Sequence, residues 1–199
     1  MTSFPQTPRT RFVRAPKRGS YDRNAAYAIL DEAWVAHVGL VADGGPVVIP
    51  TSYWRVGDEL LIHGASSSRL VRLLAAGAEA CVTVTLLDGL VMARSAFRHS
   101  MNYRSVMVFG RARVVEAAEK EAALAAFIER VSPGRMAEVR PPSAAELRAT
   151  SVLAFPLQEA SVKMRSGPPT DPDDDLVFPV WAGVIPLRLR AGEPEPDER

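Results

Sequence analysis

The run Ile62-His63-Gly64-Ala65-Ser66-Ser67-Ser68-Arg69 carries the densest set of anion-binding groups in the chain. A strand ends at His63, a glycine opens the backbone, and three hydroxyls precede an arginine at the start of a helix. Unpaired N–H groups at such a helix start attract anions. Serine hydroxyls add donors, and a guanidinium fork matches phosphate oxygens. The chemistry is that of a phosphate cradle; an ordinary serine cap followed by a surface arginine is the alternative. A second polar stretch, Arg94-Ser95-Ala96-Phe97-Arg98-His99-Ser100-Met101-Asn102-Tyr103-Arg104-Ser105, joins two strands. It suits ligand contact, or is a solvated loop. His37, His63 and His99 are the only histidines, and their spacing fits no common zinc pattern. A lone strand histidine is more often packed than ligating. Cys81, in Ala-Cys-Val-Thr-Val-Thr, reads as a buried, inert thiol. Lys163 and Arg165 are surface charges or a further anion contact. Trp181 caps a barrel or packs near a planar cofactor. No nucleophile elbow, Walker loop or dinucleotide fingerprint is present.

These groups need a frame. Residues 23–33 have helical spacing, with Ser20 and Asp22 as caps. From Trp34 the pattern turns β-rich, and Ala42-Asp43-Gly44-Gly45 marks a hairpin turn before residues 46–54. Val56-Gly57-Asp58 marks a second turn into residues 59–63. A short helix follows at 69–77, capped by serine and closed by Gly77. Strands are expected at 80–86 and 89–96, with a tight turn around Leu87 and Asp88, and at 103–115. Residues 117–131 form an Ala-rich helix with a covered face at Ala123, Phe127 and Val131, broken by Pro133-Gly134. Ser143 opens a shorter helix completed by residues 146–150. Residues 152–157 and 160–165 look like a final strand pair, and 166–179 form an extended acidic loop. The fold class is mainly β with α (α+β), a six- to eight-stranded antiparallel split β-barrel with flanking helices. A flexible basic arm (1–18) precedes the domain (19–190), and a flexible tail (191–199) follows it.

At 199 residues, with 47% hydrophobic and 24% charged, the chain is one globular domain. The net charge of +1 gives no basic field for nucleic acid. One cysteine excludes an internal disulfide. No apolar run reaches membrane-span length, and the start has no secretory core, so a cytoplasmic protein without membrane partners is expected.

Six runs together carry a resemblance: Arg18-Gly19-Ser20-Tyr21-Asp22; Val48-Ile49-Pro50-Thr51; His63-Gly64-Ala65-Ser66-Ser67-Ser68-Arg69; Leu86-Leu87-Asp88-Gly89-Leu90-Val91; Ser100-Met101-Asn102-Tyr103-Arg104-Ser105-Val106; and Trp181-Ala182-Gly183-Val184. Over about residues 9–190 the chain resembles the pyridoxamine 5′-phosphate oxidase-like flavoproteins of the FMN-binding split barrel. It looks closest to their flavin-nucleotide-binding or nitroimidazole-reductase-like branch. The resemblance implies a homodimer with FMN in clefts between protomers; FAD, haem or a deazaflavin rank behind FMN. It places Val48, Ile49, Pro50 and Thr51 along the ring. Ser68 and Arg69 fall at the phosphate, and Gly64, Ser67, Tyr103, Arg104, Ser105 and Trp181 among the other cofactor contacts. His63 falls where nitroimidazole-reductase-like members carry a histidine near the flavin, and is the one candidate catalytic residue. Leu70 follows Arg69 where the oxidase proper has lysine, and the C-terminal substrate motif is absent; both argue against pyridoxamine-phosphate oxidation. The implied function is an FMN-dependent oxidoreductase acting on a small molecule, reduced by a nicotinamide cofactor or a partner reductase. The alternatives are a non-catalytic flavin, haem or deazaflavin binder on the same barrel, and a dimeric module with an empty pocket.

Overall fold

Local signals fix the first elements of the computed structural model, which describes residues 2–198. A two-residue strand, β1 (Gly19–Ser20), leads to helix α1 (Arg23–Glu32). Asp22 caps α1 by accepting from the Ala25 N–H at 2.7 Å, and the helix buries Ala26, Ile29 and Leu30. Strands β2 (Val35–Ala42) and β3 (Gly45–Ser52) form the expected hairpin. Asp43 and Gly44 take positive φ at its tip, as a tight hairpin turn requires. β4 (Trp54–Val56) and β5 (Glu59–Ala65) turn about Gly57, and α2 (Arg69–Ala75) follows.

Next comes β6 (Glu79–Met92), one strand of 14 residues where two strands and a turn are expected. The strand runs on through Leu86–Asp88, half-buried, exposed and half-buried in turn, and the buried side changes from even to odd positions at Gly89 without the chain reversing. β7 (Ser100–Arg111) and β8 (Arg113–Val114) divide the single long strand expected at 103–115. Helices α3 (Ala117–Val131) and α4 (Ala144–Ala149) follow, and β9 (Thr150–Pro156), β10 (Glu159–Arg165) and β11 (Gly183–Pro186) complete the order. α3 has its expected bounds, but Val131 is 52% exposed and lies off the covered face.

The strands are antiparallel and lie in two open sheets, so the α+β split-barrel class holds without a closed ring. One sheet has the order β1-β10-β7-β6-β2-β3, with β11 added to β6; the other is β4-β5-β9-β8. β9 and β10 are therefore not a strand pair: they sit in different sheets.

The chain divides into two compact units. The larger comprises residues up to Thr85 and Ser105–Lys163; the smaller comprises Leu86–Arg104 and the residues from Met164 on. In the larger unit, Ala36, Val38, Leu40, Ala80, Val82 and Val84 bury one face of the longer sheet. In the four-stranded sheet both faces of β5 and β9 are covered, and Leu60–Ile62 and Val152–Phe155 are all buried. α3 covers one of these faces, laying Ala123, Leu124, Ala126 and Phe127 on Trp54, Leu61, Val152 and Ala154. Phe4 and Thr10 of the N-terminal segment are buried here too, and Arg9 ion-pairs with Glu79 and Glu159. In the smaller unit β11 pairs with the end of β6, Val184 opposite Val91. Asp171, whose side chain is 2% exposed, accepts from the Arg94 backbone and guanidinium. Among the described residues no helix is long and apolar enough to cross a membrane.

Candidate functional site

Strand alternation decides what His63 faces. It shares a side of β5 with Leu61 and pairs across to Val152, so it lies on the face that α3 covers. Its ring meets Trp54 at 5.6 Å and Phe127 at 5.0 Å between centroids. Beside this aromatic cluster is a cavity of about 470 Å³, walled by His63, Leu124, Phe127, Ile128, Met136 and Leu147. That volume falls in the range of small-molecule and cofactor sites. Burial pushes the imidazole below its usual value and keeps it neutral at pH 7. Its Nδ1 is buried with no hydrogen-bond partner among the described residues, as is Nε1 of Trp54. A neutral imidazole with a free nitrogen in an apolar wall is competent to ligate a metal. Among the described residues no carboxylate or basic group hydrogen-bonds this ring.

The phosphate-cradle residues are arranged differently. Gly64 faces the other side of β5, where an added Cβ would stand 3.1 Å from a Val71 methyl. Close packing of α2 on the strand accounts for the glycine. Ser68 spends its Oγ on the Val71 N–H as the α2 cap. Ser67 is exposed, and Arg69 bonds Asp43 of the hairpin tip at 2.7 Å. Arg69, Arg72 and Asp43 border an open hollow of about 380 Å³. Two guanidinium groups there can meet phosphate oxygens.

β3 is the last strand of its sheet, so one backbone edge has no strand partner among the described residues. Val48 and Pro50 are exposed, whereas Ile49 and Thr51 point to the opposite face and are half-buried. Ser105 donates to the Lys163 carbonyl at 3.1 Å within the larger unit. Tyr103, Arg104 and Trp181 belong to the smaller unit. There Arg104 grips Asp88 through two bonds, 2.7 and 3.0 Å, and Trp181 is 64% exposed beside Gly183.

The structure thus joins Arg69 to the hairpin tip, leaves Ser68 as the cap of α2, and seats His63 in a separate cavity on the other sheet. Sequence reasoning missed the cavity because Leu124, Ile128, Met136 and Leu147 carry no signature beyond an apolar helix face. The aromatic Phe127, placed by helical spacing on the covered face of α3, was the one available signal.

A family model described as pyridoxamine 5′-phosphate oxidase matches residues 22–164. Flavocytochrome Anf3 from Azotobacter vinelandii is 44% identical, with 97% of this chain and 90% of that chain covered and a TM-score of 0.92. The FAD and haem binding protein from Mycobacterium smegmatis is 43% identical, covering 91% and 89%, with a TM-score of 0.88. A putative 5-nitroimidazole antibiotic resistance protein from Bacteroides thetaiotaomicron VPI-5482 shares the fold at 21% identity, covering 73% and 85%, with a TM-score of 0.61. No curated protein matches the chain. The family match over most of the chain and the two close structural relatives agree with the two-sheet topology: the chain belongs to the pyridoxamine 5′-phosphate oxidase-like family of split-barrel proteins.

Proposed function

We propose that this protein is a redox protein that binds a flavin and a haem. The carrying observation is the neutral His63 imidazole, its Nδ1 unpaired, set in an apolar cavity large enough for a planar cofactor. The residues present fit a haem: an imidazole for iron, aromatic and aliphatic walls for the macrocycle. Relatives near 44% identity described as a flavocytochrome and as an FAD and haem binding protein support both cofactors. For the flavin, Arg69 and Arg72 would take phosphate oxygens, and the free edge of β3 at Val48–Thr51 would take the ring. With two phosphates to hold, FAD suits this arginine pair as well as FMN does. Bound together, the flavin exchanges electron pairs and the haem single electrons, which supports oxidoreduction of a small acceptor. The chain's own part is to exclude water, fix the ring planes and keep His63 neutral.

We place the flavin near a second copy of the chain. The outer face of the longer sheet leaves Val35, Val41 and Val48 at 48%, 69% and 63% exposure, an apolar strip that a homodimer would cover.

The test is an absorption spectrum of protein purified from haem-replete cells, with cofactors extracted and identified. Flavin bands together with a Soret band are expected, and His63→Ala should lose or shift the Soret band while retaining flavin. A haem spectrum unchanged in His63→Ala would remove His63 as ligand. A protein taking up neither cofactor would overturn the proposal.

A further inference from the structure

The mouth of the His63 cavity carries an ion pair that iron ligation leaves unused. Arg140 lies between α3 and α4, and its fork closes on Glu146, Nη1 to Oε2 at 2.8 Å and Nη2 to Oε1 at 2.6 Å. Both residues line the cavity, with side chains 70% and 50% exposed, whereas Leu124, Phe127 and Ile128 are apolar and half-buried. Glu121, also exposed, is the third charged residue of the lining, so charge lies with the exposed residues, two carboxylates and one cation. The two partners are not equally held. Glu146 is fixed by a capping box: Oε2 accepts from the Ser143 N–H at 2.7 Å, and the Glu146 N–H donates to Ser143 Oγ at 3.3 Å. Among the described residues Arg140 bonds, besides Glu146, only the adjacent Pro141 carbonyl at 3.0 Å. Glu146 therefore has a reason to stay when the pair opens, and Arg140 is the member free to turn.

We propose that Arg140 receives the carboxylate of the ligand in this cavity and that Glu146 holds its place when no ligand is present. The inference rests on the haem reading of the cavity. A haem is an apolar disc with two carboxylates on one edge, and this site offers apolar walls with one cation at the rim. Arginine suits the role because its planar fork takes a carboxylate through two parallel bonds. The same carboxylate would meet the charge of Glu146, so the resident pair sets a selectivity: acids enter only by displacing it. Arg140 is a specificity-determining residue here, acting on the edge of the ligand far from iron chemistry.

The experiment uses iron-free protoporphyrin IX and its dimethyl ester, titrated into the cofactor-free full chain and followed by porphyrin fluorescence. Neither probe contains iron, so ligation by His63 plays no part. Arg140→Met should weaken the diacid about tenfold, the scale of one charge-assisted hydrogen bond, and leave the ester unchanged. Arg140→Lys should restore part of the loss, supplying charge without the fork. Glu146→Gln keeps an acceptor for the helix cap while removing the competing charge. It should tighten the diacid about two- to fivefold and leave the ester alone, as expected for an exposed pair. Both side chains are solvent-exposed, so a thermal midpoint near wild type should accompany each variant. Diacid affinity unmoved in Arg140→Met overturns the role of Arg140 and leaves the cavity reading standing. Failure of both porphyrins to bind removes the cavity reading, and the role of Arg140 with it.

Discussion

Taking an imidazole out of water disfavours its charged form, and around His63 nothing opposes that effect. The ring lies against Trp54 and Phe127, and burial is the one cause acting on its titration, downward from the usual value of 6.5. The sign for stability follows. Between the unfolded value, near 6.5, and the lower folded value, the unfolded chain binds more protons, so stability rises with pH there. The contribution is complete above about pH 6.5 and is lost as pH falls through that window. Urea midpoints of cofactor-free protein at pH 7.5, 6.5 and 5.5 should therefore fall more steeply in wild type than in His63→Leu. Parallel curves for the two proteins would show that burial of this ring is not what titrates. The residue itself was legible as a histidine ending a strand beside a hydroxyl-rich turn. Its surroundings were not, because Trp54 and Phe127 reach it from β4 and α3, and Met136 joins the same cavity from the α3–α4 loop. Arg69 shows the converse: its place before a helix was legible, and its partner Asp43, on another hairpin, was not.

Elements with a local cause were legible, and elements defined by a distant partner were not. Asp22, Ser68 and Ser143 cap α1, α2 and α4 where the sequence puts acceptors, and Pro133-Gly134 follows the end of α3. Leu87-Asp88-Gly89 has turn composition yet continues β6. The Asp88 side chain is held by Arg104, its carbonyl accepts from the Leu187 N–H at 3.0 Å, and β11 runs alongside. Gly89 is there for that neighbour: a Cβ would sit 2.9 Å from a Val184 methyl and 3.0 Å from the Ile185 carbonyl oxygen. One contact is backbone and cannot swing aside. Gly89→Ala should cost about 1–3 kcal/mol, the usual cost of overpacking. Amide exchange at residues 183–186 should accelerate before the rest of the sheet responds. Unaltered exchange there would mean that β11 has room to shift. The β9–β10 error has the same origin. Consecutive strands are usually neighbours, but β9 is drawn between β5 and β8, and β10 between β1 and β7.

At the scale of the molecule, the outer face of the longer sheet bears on assembly. Strand register sets Gly39 beside Val48 and Cys81, Val41 beside Pro46, and His37 beside Pro50 and Thr83. Besides His37 and Thr83 these positions are apolar or small, with no Lys, Arg, Asp or Glu among them, and the valines are among the more exposed hydrophobics of the larger unit; charge on this face begins at Glu79, two residues before Cys81 on the same side of β6 and paired with Arg9. A face left to solvent at an open sheet edge normally carries charge to discourage pairing. Here charge stops at the Glu79 end, and the stretch of β2 and β3 from Val35 to Val41 with Val48 has none, which is the pattern of a surface covered by another chain. Val48 is the most informative position: at 63% exposure it contributes little to the protomer's core, so a lysine there is tolerated by an isolated chain. Between two copies the same ammonium group would lose its water with no anion in that row to meet it, a cost of several kcal/mol. Sedimentation velocity over a range of concentrations should find wild type dimeric and Val48→Lys monomeric, with the monomer's far-ultraviolet spectrum retained. Flavin affinity supplies a separate readout. Val48 itself lies in the proposed ring site, so this readout uses Val41→Lys, on the same row and outside that site: if the cofactor lies between copies, the Val41→Lys monomer should release it, and a flavin held by that monomer would place the site within one chain. A monomeric wild type, or a Val48→Lys dimer as tight as wild type, would show that this face is not the interface.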